Sequence, residues 1–190
     1  GLSGSLAIGR LCLVRGIHVT VVTDDSSLLP VQAGVDELRK QWERGEGGGG
    51  ESDIAMETFP GGDSFDDDKD SARLQTLAEH MDHWVAVERT GRAVDGTYRT
   101  MKARSLDRAL IAPLDWVFEW DGRKYSTTGI GDGGNELGMG KVKEKVEEGV
   151  EFGKEICAHV PADHLVTAGV SNWGGWALAA AVGLLDPSLT

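Results

Sequence analysis

The amino-acid sequence predicts a three-layer α/β fold, in which a mostly parallel sheet is covered by helices on both faces. Segments typical of strands alternate with segments typical of helices along the chain. The predicted strands are short apolar runs, as expected for strands that are buried on both sides. Glycine-rich loops follow two of these strands, and in such folds ligands bind at the carboxyl ends of the strands. The predicted order of elements is Rossmann-like.

The first half of the chain begins with a predicted helix over residues 5–14. Gly16 ends this helix, and the β-branched run HVTVVTD that follows predicts a buried strand finishing at Asp24. Further elements are a polar amphipathic helix over 33–44, a short strand over 53–60 and a helix over 71–82. Because a parallel βαβ unit places a strand ahead of its helix, we expect residues 1–190 to form a single domain that lacks its first strand.

Two segments of this half are predicted to be flexible loops. Residues 45–52 are mostly glycine, a composition that packed elements do not favour. Residues 61–70 are rich in acids, which we expect to cap the following helix because negative charge is favoured near helix amino termini. The DDDKD run in this segment lacks the glycine and the alternating oxygen ligands of a calcium-binding loop.

The second half of the chain contains the predicted functional loops. A strand over 84–88 leads into a polar segment that is part loop and part helix. Residues 116–120 lie near a predicted turn at Asp121 and Gly122. Two strand-loop-helix units then complete the fold, and their glycine-rich loops are expected to meet at one edge of the sheet.

Charge and cysteine usage exclude several classes of protein. The chain has 31 acidic and 19 basic residues, a net charge of −12, which argues against binding to nucleic acid or to an anionic membrane. No apolar stretch approaches the roughly 20 residues of a membrane span. Cys12 and Cys157 are far apart in the sequence, which argues against a disulfide scaffold or a zinc ribbon and favours a reducing compartment such as the cytoplasm.

The strongest candidate for a functional loop is GIGDGGNELGMG, residues 129–140. Its glycines surround Asp132, Asn135 and Glu136, between a predicted strand and a helix that starts near Lys141. Glycine lets the backbone approach a ligand closely, and the acids and the amide supply proton transfer or metal contacts. The structural alternative is a tight turn in which the carboxylates cap the helix and hold the loop.

Two other strand ends carry polar side chains. In GVSNWGGWALAAA, Ser171 and Asn172 lie at the apex of the loop, and the two glycines at 174–175 open an apolar helix whose amino terminus could hold a carboxylate. In VERTGRAVDG, Glu88 and Arg89 leave a strand end, and arginine can clamp a carboxylate through two parallel hydrogen bonds. The alternative for this last segment is an internal ion pair among Glu88, Arg89, Arg92 and Asp95.

Two weaker signals are discounted. Asp24 lies where a dinucleotide-binding fold places its ribose-binding acid, but the opening glycines do not match GxGxxG and are more typical of helix packing. His80 and His83 are three residues apart, a spacing that suits zinc, yet no third ligand is indicated and a surface helix is the simpler interpretation.

The segments ERTGRAVDGTY, STTGIGDGGNELGMGKVKE and VTAGVSNWGGWALAAA resemble signature segments of the D-glutamate cyclase family, in the C-terminal domain of its mitochondrial members. The resemblance is strongest over residues 84–185, and LAIGRLCLVRGIHVTVVTD resembles an earlier helix and strand of the family. The chain departs from the family in lacking an upstream glycine-rich strand-loop and in containing GEGGGGESD and the acidic loop.

The resemblance implies a lyase that converts D-glutamate to 5-oxo-D-proline and water. It also implies a small-molecule substrate and, by likeness to vertebrate members, the mitochondrial matrix; a homo-oligomer is compatible with it. The reaction needs a base, an acid for the leaving oxygen and a site for the oxyanion, but in principle no redox cofactor or ATP.

On this interpretation, proton transfer is assigned to Asp132 and Glu136, with the choice of base and acid left open. The oxyanion would be bound by the backbone of Gly133 and Gly134 with Asn135.

The substrate would be held at the neighbouring strand ends. Its α-carboxylate would contact Arg89, Ser171 and Asn172, and its ammonium would contact Glu88. Alternatively, Asp132, Asn135 and Glu136 would hold a divalent metal ion that polarises the carboxyl group. The rival function is a non-catalytic module that binds an amino acid or a nucleotide.

Overall fold

A computed structural model of the chain describes residues 1–44 and 53–185. The predicted flexible loop over 45–52 lies outside the described residues. The helices are α1 (Leu2–Val14), α2 (Leu28–Glu43), α3 (Lys69–Glu79), α4 (Trp116–Glu119), α5 (Lys143–Gly149), α6 (Gly153–Ile156) and α7 (Ser171–Leu185). The strands are β1 (Val19–Asp24), β2 (Ile54–Phe59), β3 (His83–Val87), β4 (Ser126–Gly131) and β5 (His164–Thr167). The predicted α/β fold class is confirmed.

The strands form two small parallel sheets rather than one continuous sheet. Strands β1 and β2 pair from Val19 opposite Ile54 to Asp24 opposite Phe59. The second sheet has the order β3-β4-β5, with β4 in the centre. All pairings are parallel, so the carboxyl ends of β3, β4 and β5 share one edge.

Helices cover both faces of the three-stranded sheet. On one face, α7 approaches so closely that a Cβ on Gly174 would lie 2.7 Å from Ile130 Cγ2. On the other face, Leu165 of β5 packs against a cluster that includes Val146 of α5. Helices α1 and α7 also touch each other, because a Cβ on Gly175 would lie 2.8 Å from the Cα of Gly4. This contact brings the start of α1 to the edge where the strands end.

A large apolar core lies beneath these elements. It contains residues from both sheets and from the segment between β3 and β4, and a second cluster packs α1 and α2 against β1 and β2. The buried members of the larger cluster are Phe59, Phe65, Leu74, Ala78, Ala86, Ala112, Leu114, Val117, Phe118, Tyr125, Leu137, Val160 and Ala162.

Helix boundaries differ from the sequence prediction at several places. Helix α1 begins at Leu2 rather than residue 5, and α3 ends at Glu79 rather than residue 82. Helix α2 begins at Leu28 rather than residue 33, because Pro30 sits in the first turn, where its missing N–H is tolerated. Helix α3 begins at Lys69 rather than residue 71, and the carboxylate of Asp66 accepts the Lys69 N–H at 2.7 Å. The acidic loop therefore does cap this helix, as predicted.

Other local predictions have mixed outcomes. Residues 116–120 include the short helix α4, and the predicted turn at Gly122 is present with a φ of 72°. Within 61–70, Phe65 is buried in the core, and the flexibility of this segment stays a prediction. Among the described helices, none combines the length and the apolar character needed to cross a membrane.

Candidate active site at the carboxyl edge of the sheet

Polar side chains collect where β3 and β4 end and α7 begins. Glu88 directly follows β3, Asp132 directly follows β4, and Ser171 is the first residue of α7. The Ser171 N–H donates to Asp132 Oδ2 at 2.8 Å. This hydrogen bond joins the two glycine-rich loops, so the prediction that they meet at one edge is confirmed.

Glu136 lies behind Asp132 and holds the glycine-rich loop together. Its side chain is buried, with the residue only 4% exposed. Its Oε1 accepts the Gly133 N–H at 2.9 Å, and its Oε2 accepts the Gly134 N–H at 2.7 Å. The backbone can turn this sharply because Gly134 has a φ of 111°, a conformation that side chains rarely allow.

Burial raises the pKa of Glu136 above its usual value, because the charged form loses its hydration. The N–H groups of Gly134 and Gly133 oppose this shift, and a hydrogen bond with the Asp132 side chain reinforces it. Among the described residues, no lysine or arginine forms an ion pair with Glu136. The site therefore contains a buried carboxyl group whose pKa is raised, next to the exposed side chain of Asp132.

Glu88 is held in an unusual backbone conformation at the same edge. Its φ is 55°, although it is not glycine, and its N–H donates to Ile130 O at 2.9 Å. Its Oε2 lies 2.6 Å from the Gly1 ammonium and 3.4 Å from Asn172 Nδ2. Non-glycine residues with positive φ are found disproportionately at functional sites. The carboxylate of Glu88 is thus set among nitrogen donors at the strand ends.

Comparison with known proteins identifies the family. Residues 1–189 match the family described as D-glutamate cyclase-like, C-terminal. The chain belongs to this family. It is also 50% identical over 108 residues to the human protein named D-glutamate cyclase, mitochondrial. That match covers 55% of this chain but 17% of the human protein, so the chain corresponds to a small part of that relative's length.

In this D-glutamate cyclase-like domain, Arg89 forms an internal ion pair. Its guanidinium binds Asp24 through two hydrogen bonds of 2.5 and 2.7 Å and also donates to Ala112 O at 2.7 Å. The alternative considered from the sequence, an ion pair within the segment of residues 88–95, is wrong, because Arg89 pairs instead with Asp24 at the end of β1. The role of Arg89 as a clamp for a substrate carboxylate stays a prediction, and it requires the substrate to compete with Asp24.

The other charged residues near Arg89 are also paired internally. Arg92 contacts Asp115, which is 1% exposed, and Arg99 pairs with Asp95. Tyr98 donates its hydroxyl to the same Asp115 at 2.6 Å. These pairs fix the loop after β3. The role of Asp115 was not predicted, because its two partners lie 17 and 23 residues away in the sequence.

The predicted oxyanion donors have other partners in this structure. The N–H groups of Gly133 and Gly134 donate to Glu136, and Asn135 Nδ2 donates to Arg99 O at 2.7 Å. These groups could bind the oxyanion only if they released their present acceptors, Glu136 and the Arg99 carbonyl. Until that is tested, it stays a prediction.

Ser171 and Asn172 occupy different environments at the start of α7. Ser171 is fully buried, and its Oγ has no hydrogen-bond partner among the residues that the structure describes. Asn172 is partly exposed, and its Oδ1 accepts the Gly4 N–H at 2.9 Å and the Ser3 hydroxyl at 3.1 Å. The contact of α1 with this site was not predicted from the sequence. The opening glycines, interpreted as helix-packing residues, were the feature that could have indicated it.

Metal-binding groups are sparse in the described parts of the chain. Across residues 1–44 and 53–185, no group of three or more His, Cys, Asp or Glu side chains is arranged to hold a metal ion. The nitrogens of His83 instead contact the hydroxyls of Ser126 and Thr128.

Proposed function

We propose that this domain carries out the cyclisation of D-glutamate to 5-oxo-D-proline with loss of water. The observation that carries the proposal is the contact between the exposed side chain of Asp132 and the buried carboxyl group of Glu136, at the edge where Glu88 also lies. Family membership and the likeness to a human protein named D-glutamate cyclase support it.

The reaction joins the two ends of one molecule. The α-nitrogen attacks the γ-carboxyl carbon, a C–N bond forms, and one C–O bond breaks. The ammonium group gives up two protons in becoming an amide N–H, and the departing oxygen takes up two protons to leave as water. No net proton is consumed, so the site needs groups that move protons from nitrogen to oxygen.

We assign the substrate-facing proton transfer to Asp132. Its side chain is exposed, and the N–H of Ser171 fixes one of its oxygens. An ionised carboxylate here would take a proton from the ammonium and so create the nucleophilic amine. The same group would deliver a proton to the departing oxygen after the C–N bond has formed.

Glu136 acts through Asp132 as a positioning residue. Its carboxyl group is too buried to meet a substrate directly, but it shares a hydrogen bond with Asp132. Burial raises the pKa of Glu136 and so favours its protonated form beside Asp132. Glu136 also fixes the loop that presents Asp132.

Substrate binding is assigned to the groups around Glu88. Its side chain is 43% exposed and would bind the ammonium, while Asn172 Nδ2 would donate to a carboxylate. Folding the substrate so that amine and carboxyl carbon meet supplies up to about 7–11 kcal/mol in the best intramolecular reactions. Arg89 and Ser171 stay predictions as further contacts.

A divalent metal ion at Asp132, Asn135 and Glu136 is the alternative way to polarise the γ-carboxyl group.

Because the human relative is named as mitochondrial, we also propose the mitochondrial matrix as the location of this protein. Association into a homo-oligomer stays a prediction.

The test is to incubate the full-length gene product with D-glutamate and to measure 5-oxoproline by proton NMR. We expect product from D-glutamate and much less from L-glutamate, with and without a chelator. Loss of turnover on addition of the chelator would favour the alternative in which a divalent metal ion polarises the γ-carboxyl group. Calorimetric binding of D-glutamate without any product would contradict the proposal and favour the non-catalytic binding module.

A further inference from the structure

A short hairpin, residues 97–106, lies beside the glycine-rich loop of the candidate site. Arg99 and Ser105 pair across it in antiparallel fashion, and the Ala103 N–H donates to Thr100 O at 3.0 Å to close its turn. The sequence of the hairpin, TYRTMKARSL, contains three basic side chains and no acidic one. The hairpin is therefore a basic element next to a site whose ionisable side chains are acids.

Two contacts attach the hairpin to the glycine-rich loop. The Arg99 carbonyl accepts a hydrogen bond from Asn135 Nδ2 at 2.7 Å. The Met101 side chain packs on Gly133 so closely that a Cβ on this glycine would lie 2.9 Å from Met101 Cε and closer still to its Sδ. Gly133 directly follows Asp132 in the sequence. The tip of the hairpin therefore lies against the residue adjacent to the proposed proton-transfer group.

Hydrogen bonds within the hairpin hold its tip in a defined conformation. Thr100 Oγ1 accepts the N–H groups of Lys102 and Arg104, each at 3.3 Å. Arg99 Nη1 donates to Ala103 O at 3.1 Å. Ala103 has a φ of 55° although it is not glycine, and such conformations are found disproportionately at functional sites. The side chains at the tip are thus presented from a fixed backbone.

The proposed reaction needs a positive group at this edge. D-Glutamate carries two carboxylates and one ammonium group, so it approaches the carboxylates of Glu88 and Asp132 as an anion. Like charges that meet without a cation repel each other. The groups predicted to bind the oxyanion, from Gly133 to Asn135, already donate to acceptors within the protein. The γ-carboxylate therefore requires a donor other than these.

Lys102 is a cation at the hairpin tip that is not held by an acid. The arginines between β3 and this tip are each paired with an aspartate: Arg89 with Asp24, Arg92 with Asp115 and Arg99 with Asp95. The side chain of Lys102 is exposed and forms no ion pair within residues 1–44 and 53–185. Its ammonium group has three donors on a flexible stem. Lys102 follows Met101, so it is one residue from the contact with Gly133.

We propose that Lys102 binds the γ-carboxylate of the substrate and stabilises the oxyanion that forms during cyclisation. This inference rests on the proposed cyclase function. When the α-nitrogen attacks, a C–N bond forms and an electron pair of the carboxyl group moves onto oxygen, where Lys102 donates a hydrogen bond. The electron pair returns as the C–O bond breaks and water leaves. Lys102 transfers no proton, so proton transfer from nitrogen to oxygen stays with Asp132.

The experiment measures turnover and binding by the full-length gene product with Lys102→Met. We expect kcat for 5-oxoproline formation to fall by about 10²–10³-fold, the usual effect of removing one oxyanion donor. Lys102→Arg keeps the charge and should retain more of the rate. Calorimetry with glutarate, a dicarboxylate that cannot cyclise, should show affinity weakened by about tenfold or more in Lys102→Met. Binding of D-α-aminobutyrate, which lacks the γ-carboxylate, should be the same in parent and variant.

The matched control is Lys124→Met, because Lys124 is also exposed but precedes β4 at the opposite end of the sheet. It should change neither turnover nor glutarate binding. Parent-like kcat and glutarate affinity in Lys102→Met would overturn the proposal, as would an equal loss in Arg104→Met or in the control. A parent protein that makes no 5-oxoproline would contradict the proposed cyclase function. Glutarate binding by parent and Lys102→Met would then still support or overturn the role of Lys102 in carboxylate binding.

Discussion

The two ends of the β3-β4-β5 sheet hold acidic side chains in opposite environments. At the amino end, Asp163 accepts two hydrogen bonds from Arg123, of 2.7 and 2.8 Å, and another from the Thr127 N–H. Arg123 and Thr127 hold the pKa of Asp163 well below its usual range. At the carboxyl end, Glu136 has backbone N–H partners but no cation, and burial raises its pKa.

The two environments suit an acid to different roles, one in stability and the other in proton transfer. A carboxylate paired with arginine stays ionised and contributes to stability but cannot readily exchange a proton. Burial without a neighbouring cation raises the pKa of a carboxyl group, and groups with such perturbed pKa values are concentrated at catalytic sites. The contrast between Asp163 and Glu136 therefore supports the proposal that the active site lies at the carboxyl edge of the sheet.

The largest expected effect is on turnover. Replacing Asp132→Asn keeps an acceptor for the Ser171 N–H but removes the proton-transfer group, so we expect the rate to fall by about 10²–10⁴-fold. The melting temperature should stay close to that of the parent. The measurement is 5-oxoproline formation by the full-length protein, with thermal unfolding of each variant.

The matched control for that variant is Asp163→Asn, the same chemical change at the other end of the sheet. It should leave the rate per folded molecule unchanged. If both substitutions reduced turnover equally, the two ends would not differ in function.

The next effect concerns the loop that presents the acids. In Gly134→Ala, the new Cβ would lie 2.5 Å from Val146 Cγ1 at a φ of 111°, so we expect a loss of about 2–4 kcal/mol in unfolding free energy. Gly122→Ala is the control, because Gly122 has a φ of 72° but no atom within 4 Å. Its loss should be about 1 kcal/mol. Equal losses in urea unfolding would show that packing against Val146 is unimportant.

A smaller effect is expected on stability at the amino end. Asp163→Asn removes the charge that Arg123 binds, and because Asp163 is partly exposed we expect a loss of about 1 kcal/mol at pH 7. Since folding lowers the pKa of Asp163, its contribution is present above its usual pKa and declines as the pH falls below about 4. Urea midpoints of parent and variant should therefore converge in acid. A difference that persists unchanged at pH 3 would contradict the ion-pair explanation.

The smallest expected effect is a change in how steeply the free energy of unfolding depends on pH. Because folding raises the pKa of Glu136, its protonated form contributes stability below its usual pKa, and this contribution is lost as the pH rises through the raised value. The slope from one such group is at most about 1.4 kcal/mol per pH unit. Glu136→Gln should flatten the decline of unfolding free energy between acid and neutral pH. An identical decline in parent and variant would mean that Glu136 is ionised in the folded protein.

Much of the fold follows from local sequence patterns, but the pairing of strands does not. The β-branched run before Asp24 and the apolar runs of β4 and β5 predict strands from their own composition. Their division into two sheets depends on tertiary contacts between distant segments. The early start of α2 at Leu28 was missed because Pro30 resembles a loop signal and is harmless in a first turn.

The candidate site was only partly predictable, because several of its contacts join segments that are distant in the sequence. That Asp132 and Ser171 meet follows from parallel strands that end at one edge. The pairing of Arg89 with Asp24 joins residues 65 positions apart, and no spacing rule indicates it. The contact of Glu136 with Gly133 and Gly134 is local, but it depends on a backbone turn that composition alone leaves open.

The ion pair between Arg89 and Asp24 has a thermodynamic consequence for any anion that enters this edge. An anion that bound the Arg89 guanidinium would leave Asp24, which is 8% exposed, with the Ala112 N–H as its remaining hydrogen-bond donor among the described residues. Breaking a buried pair in this way costs about 3–5 kcal/mol. At 1.4 kcal/mol for each factor of ten, the intrinsic affinity for the anion would be weakened by about two to three and a half powers of ten. By linkage, whatever strengthens the hold of Asp24 on Arg89 weakens anion binding by the same factor.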